Sequence, residues 1–113
     1  MNLIERMLIK YDVNNYYLVE YKLKRESGSI ALVLERNGVY YDTFKSNYLD
    51  NHDILFKKPL SAYVDSNLGN ISFSRARKLA KPHYAKFYNE FKEKCLKDKD
   101  VLEDSGYTFY AMI

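Results

Sequence analysis

Residues 16–44 read YYLVEYKLKRESGSIALVLERNGVYYDTF, and the fold class turns on them. Tyr17, Val19, Tyr21 and Leu23 alternate with Glu20, Lys22 and Lys24. A period of two is that of an antiparallel strand with one face on a core and one in water. Glu26, Ser27, Gly28 and Ser29 then read as a turn. Residues 30–35 are apolar on both faces, as in a central strand, and Asn37-Gly38 is a strong hairpin signal because both residues accept positive φ in a type I′ turn. Residues 39–44 return as the next strand. The stretch predicts a three-stranded antiparallel meander.

The sequence is less explicit on either side. Ile54, Leu55 and Phe56 suggest a further strand stopped by Pro59, and Ala62, Tyr63 and Val64 a shorter one, for a sheet of about four to five strands. Near the start, Leu3, Ile4, Met7, Leu8 and Tyr11 recur at helical spacing, with Asn2 as a cap and Glu5 three residues on, which predicts a short N-terminal helix. A strand through residues 7–13 is the competing reading. A helical region starts at Ser72 or Ser74. Pro82 lacks an N–H and disfavours helical geometry at Lys81, so this region divides into a short helix to about Ala80, a kink, and a longer helix with Pro82 in its first turn. Tyr84, Tyr88, Phe91 and Cys95, with Phe87 adjoining, form an apolar stripe that should face the sheet, while Glu90 with Lys94 and Glu93 with Lys97 are spaced for ion pairs along the helix. Asp104, Ser105 and Gly106 make a turn into a final strand, 107–112, apolar enough to need a partner strand in the sheet or across a homodimer. The expected class is α+β, an antiparallel sheet covered by a C-terminal helix.

At 113 residues the chain fits one domain, 1–113. A globule of that size hides roughly 65% of its unfolded surface, enough for one core. Leu, Ile, Val and Phe are abundant and twelve Tyr join them, which excludes intrinsic disorder. Glu5 and Arg6 interrupt the N-terminal segment and no long apolar run occurs, so neither a membrane span nor a secretory leader is expected. The lone cysteine, Cys95, has no intramolecular disulfide partner. A reducing, cytoplasmic setting follows. The wealth of Lys, Asn, Tyr, Ile and Asp is a bias of AT-rich coding DNA, shared by many small proteins of phages and mobile elements.

Charge is the other departure from uniformity. Residues 75–99 carry nine of the eighteen Lys and Arg residues against Glu90, Glu93 and Asp98, whereas everything before Arg75 sums to zero. Glu partners account for part of the charge between residues 84 and 97. Arg75, Arg77 and Lys78 are different, because a helix start prefers acidic residues. Together with Ser72, Ser74, Lys81 and Lys86 they form the predicted binding face for a phosphate, a carboxylate or an acidic surface.

Other chemistry is poorly supported. Cys95 lies on the apolar stripe, where a buried thiol outweighs a nucleophile. Asp50, His52 and Asp53 lack a matching His or Cys pair and read as a solvated loop, so no metal is expected. The loop from Asp65 departs from a calcium loop at Gly69, Asn70 and Ala76. His83 suits a surface position, and the four Gly residues compose no nucleotide fingerprint, so no cofactor is expected. Among the tyrosines, Tyr17, Tyr21, Tyr84 and Tyr88 read as core, and Tyr16, Tyr40, Tyr48 and Tyr63 as surface candidates for binding. The sequence thus predicts a non-enzymatic accessory or inhibitory protein. Its partner would be an acidic protein surface, such as that of a nucleic-acid-processing protein, with direct DNA or RNA binding by the same residues as the alternative.

Overall fold

The computed structural model describes residues 9–23 and 26–97. Among these residues seven strands, β1 (Lys10–Asp12), β2 (Tyr16–Leu23), β3 (Glu26–Arg36), β4 (Val39–Asp42), β5 (Tyr48–Leu49), β6 (Ile54–Pro59) and β7 (Asn70–Ser72), precede helices α1 (Phe73–Ala80) and α2 (Tyr84–Lys97). Strands β2 to β6 form one antiparallel sheet in the order β5-β4-β3-β2-β6, and β1 pairs separately with β7. The fold is α+β, as the sequence predicts. The expected N-terminal helix over residues 3–8 and the strand 107–112 lie outside the described residues. Tyr11, which the helical spacing had included, is in β1.

The meander forms as the turn chemistry dictates. Arg36 pairs with Val39, leaving Asn37 (φ 54°) and Gly38 (φ 81°) as a two-residue loop of the I′ kind, and the Glu35 carboxylate accepts from the Gly38 N–H at 2.7 Å. Strand β3 begins at Glu26, so residues 26–29 belong to the strand and not to a turn. Strand β4 ends at Asp42, short of Phe44. The buried Asp42 carboxylate accepts from the N–H groups of Phe44 (2.8 Å) and Lys45 (3.1 Å), and Thr43 donates its hydroxyl to the Leu32 carbonyl at 2.8 Å. These bonds turn the chain back into β5. Residues 62–64 are not a strand: Leu60–Ala62 is a 3-10 turn, and Leu60 is buried beneath it.

The alternation in β2 marks a strand but not a half-solvated one. One face places Tyr16, Leu18 and Glu20 beneath the helices, the other places Val19 and Tyr21 in a second apolar cluster with Ala31, Val33 and Tyr40. Pairing with β3 on one side and β6 on the other makes β2 an interior strand, and both of its faces are covered. On the second face Lys57 donates to the Tyr40 hydroxyl at 2.6 Å, a bond that raises the lysine pKa, and lies over the Tyr17 and Tyr40 rings. Lys45 donates to the Tyr21 hydroxyl at 3.1 Å.

The helical region begins where expected, and its α winding is interrupted at Pro82. The Ser72 hydroxyl caps α1 by accepting from the Arg75 N–H at 3.2 Å. Lys81, however, keeps helical dihedrals (φ −51°, ψ −46°), and its N–H reaches the Arg77 carbonyl. A 3-10 turn over Lys81–His83 absorbs the missing proline N–H, so the expected break is a tightening. In α2, Phe87, Phe91 and Cys95 are the buried line, with Tyr84 and Tyr88 half-buried beside it. Phe56 of β6 meets Phe87 at 5.3 Å and Phe91 at 5.9 Å between ring centroids.

Glu20, expected in solvent, is 3% exposed in the helix-facing layer. It stands opposite Ile30 and Phe56 in the ladders, and its Oε2 has no hydrogen-bond partner among the described residues. Burial pushes its pKa up to about 7. Between the ordinary value of 4.5 and about 7 the folded chain holds a proton that the unfolded chain has lost. This contribution to stability should therefore fall as pH rises through that window and level off above it. Urea unfolding at about pH 5 and about pH 8 measures the slope, and Glu20→Gln should flatten it and raise the midpoint at the higher pH. An identical slope in wild type and variant would show that Glu20 does not titrate this way.

Candidate binding face

Helix α1 buries Phe73, Ala76 and Ala80 against the sheet. Phe73 is the deep anchor. Its ring stacks on Tyr11 (5.7 Å, 24°), meets Tyr16 edge-on (6.2 Å, 87°) and leans on Tyr41 at 6.1 Å. Tyr16 is fully buried and donates its hydroxyl to the Ile71 carbonyl at 2.8 Å, and burial raises its pKa. The buried line at i, i+3 and i+7 leaves Arg75, Lys78 and Lys81 exposed on the opposite side. No Asp or Glu occurs between Asp65 and Glu90, and none of these three cations makes an ion pair among the described residues.

The seven residues of the predicted face separate. Ser72 is committed to the cap and Ser74 is half-buried. Arg77 turns toward the sheet, with its guanidinium 4.8 Å from the centre of the Phe44 ring and its buried Nε without a partner among the described residues. Its charge lowers the pKa of Tyr16 and Tyr84, each raised first by burial, so it lies among phenols. Lys86 stands on α2 over the Tyr63 ring at 5.7 Å. Tyr63 also stacks on His83 (5.4 Å, 24°) and donates to Glu90 at 3.0 Å, while Glu90 binds Lys58 at 3.2 Å. Glu90 thus ties α2 to β6 and the following turn. What α1 presents outward is a cationic strip of Arg75, Lys78 and Lys81.

Cys95 is fully buried and in no disulfide. Asp50 caps a 3-10 turn by accepting from the His52 N–H at 2.9 Å, and Asp50, His52 and Asp53 are exposed. Asp65 accepts from the Asn67 N–H at 2.9 Å. Among the described residues no three His, Cys, Asp or Glu side chains gather to hold a metal, and no helix is long and apolar enough to cross a membrane.

A second feature escaped the sequence. Beyond the reach of α1, the helix-facing side of β3, β4 and β5 forms an open cleft of about 940 Å³ lined by Tyr11, Leu34, Arg36, Tyr41, Tyr48 and Phe73. Tyr48 is 69% exposed, and Val39 on the rim 47%. Of the four tyrosines read as surface candidates, Tyr48 alone is exposed, because Tyr16 and Tyr40 are buried and Tyr63 is half-buried. The signal was the pairing of Tyr41 with Tyr48, which depends on the Asp42 turn. Compared with family models, curated proteins and solved structures, the chain matches none of them.

The two kinds of arginine on α1 should behave differently. Arg77→Ala removes an aliphatic stem and a ring contact from a packed boundary and should cost about 1–2 kcal/mol of stability. Arg75→Ala, Lys78→Ala and Lys81→Ala should each stay within about 0.5 kcal/mol. Urea titrations of the four variants check the contrast, and equal losses at Arg75 and Arg77 would contradict it.

Proposed function

We propose that this protein acts by binding and not by catalysis, as a small accessory or inhibitory protein that docks on an acidic macromolecular surface through the outer face of α1. The observation that carries this reading is Arg75, exposed three residues after the Ser72 cap. A Glu there would complete a capping box and complement the helix dipole. A cation forgoes both gains, and Lys78 and Lys81 extend its charge along the same exposed side. A partner's carboxylates would supply what the helix itself lacks. The partner in this reading is a protein, one that handles nucleic acid being the natural bearer of such an acidic surface, and the setting is a reducing cytoplasm of the kind phage and mobile-element proteins occupy.

Arg75→Glu separates folding from binding. The variant should be more stable than wild type by about 0.5 kcal/mol, since cap and dipole now agree. Combined with Lys78→Glu and Lys81→Glu, it should lose a stoichiometric protein that wild type retains in a pull-down from its native host. Retention of that protein would move the interface off α1. A gel shift with duplex DNA at two salt concentrations tests the alternative, because phosphate neutralisation gives a salt slope of roughly 0.9 per contacted phosphate.

A further inference from the structure

We infer that the open cleft beside α1 is a seat for an extended acidic peptide segment of the partner, one whose aromatic or branched aliphatic side chain packs on the floor that Tyr41, Tyr48 and Phe73 form. This rests on the binding reading above but uses residues other than the α1 strip. The cleft has the size of a ligand site, about 940 Å³, and among the described residues no acidic side chain lines it. Arg36 is the one charged side chain of the described lining, and its guanidinium lies 5.4 Å from the centre of the Tyr11 ring. Lys10 stands opposite Ser72 in the β1–β7 ladder, one residue before Tyr11 of the lining. An apolar floor with Arg36 in its wall is complementary to an apolar anchor flanked by carboxylates.

Other occupants fit less well. A platform for nucleobases needs free ring faces in succession. Here the Tyr11 ring already carries Phe73 and Arg36, and Tyr41 is engaged by Tyr48 (5.2 Å, 69°) and by Phe73, which leaves a walled concavity instead of a stack. A second copy joined cleft to cleft across a two-fold axis would present the same lining, which holds Arg36 and, among the described residues, no acidic side chain to pair with it. Strand addition is also disfavoured, since β5, the outer strand on this side, offers only Tyr48 and Leu49. Recognition therefore falls to side chains.

The test begins with selection of random dodecapeptides displayed on phage against the purified full chain, followed by fluorescence anisotropy with the selected peptide as probe. The expected consensus is an aromatic or branched aliphatic residue flanked by Asp or Glu. Val39→Asp with Tyr48→Asp, at exposed positions, should weaken binding at least about tenfold while lowering the unfolding midpoint only modestly and keeping a cooperative transition, and Arg36→Ala should weaken binding several-fold. No enriched sequence, a consensus without acidic residues, or binding indifferent to the cleft variants would overturn the inference. So would capture of a poly-dT oligonucleotide, or a wild-type dimer, that the same double variant abolishes. The α1 charge reversals separate this outcome from that of the docking reading. Peptide binding that survives them while the host partner is lost supports both proposals, whereas cleft variants that keep the host partner and the peptide sink the cleft alone.

Discussion

The hydrogen bond from the buried Tyr16 hydroxyl to the Ile71 carbonyl determines where everything after the sheet can go. Tyr16 opens β2, and Ile71 is the middle residue of β7, two positions before α1 begins. A phenol shut away from water must find an acceptor or cost on the order of 1–3 kcal/mol, so this contact is strongly specified. Once Ile71 is held there, Phe73 falls between Tyr11, Tyr16 and Tyr41, and β1 is drawn in to pair with β7. The start of α1 is thereby attached to the sheet by a bond, a ladder and a ring cluster. The exposed side of α1 is a consequence of that attachment.

The same geometry explains why the cleft is open. Anchored at Phe73, the helical region crosses toward β6, where Phe56 receives Phe87 and Phe91, and so covers β2, β3 and β6. The Asp42 turn meanwhile adds β5 to the opposite edge. Leu34, Tyr41 and Tyr48 thus continue the apolar layer past the helix, and the tyrosines meet the need for partly wet surface with amphipathic rings.

How much of this was legible follows from the range of each interaction. The Asn37-Gly38 turn is local, and it gave the meander its register through the conformations those two residues accept. The Ser72 cap and the proline kink are local too. Glu20 was misread because a charged residue in an alternating strand ordinarily faces water, and nothing within a few residues reveals that β6 will pair on the other side of β2 and close that face. The β1–β7 ladder joins residues some sixty positions apart and has no local signal. Of the basic cluster, the charge was visible but its division was not. Arg77 adjoins a buried line built from Phe73 and two alanines, small residues that hardly announce an apolar stripe, and so its turn toward Phe44 was hidden.

Two surfaces with one origin now meet at the first turn of α1, and their chemistry differs in how it can be read. Cations leave a compositional trace that needs no fold to detect, since a run without Asp or Glu from Ser66 to Asn89 shows in the sequence. A concavity leaves none, because Tyr11, Leu34, Tyr41, Tyr48 and Phe73 come from five separate elements or their ends. Yet the cations are the less specific feature, since a solvated strip attracts any polyanion at low salt. Selectivity requires shape. A partner that satisfied Arg75 and Lys78 alone would be exchangeable with others of its charge, whereas one that also filled the cleft over Tyr41 and Tyr48 would have to present the right side chain at the right distance from its carboxylates.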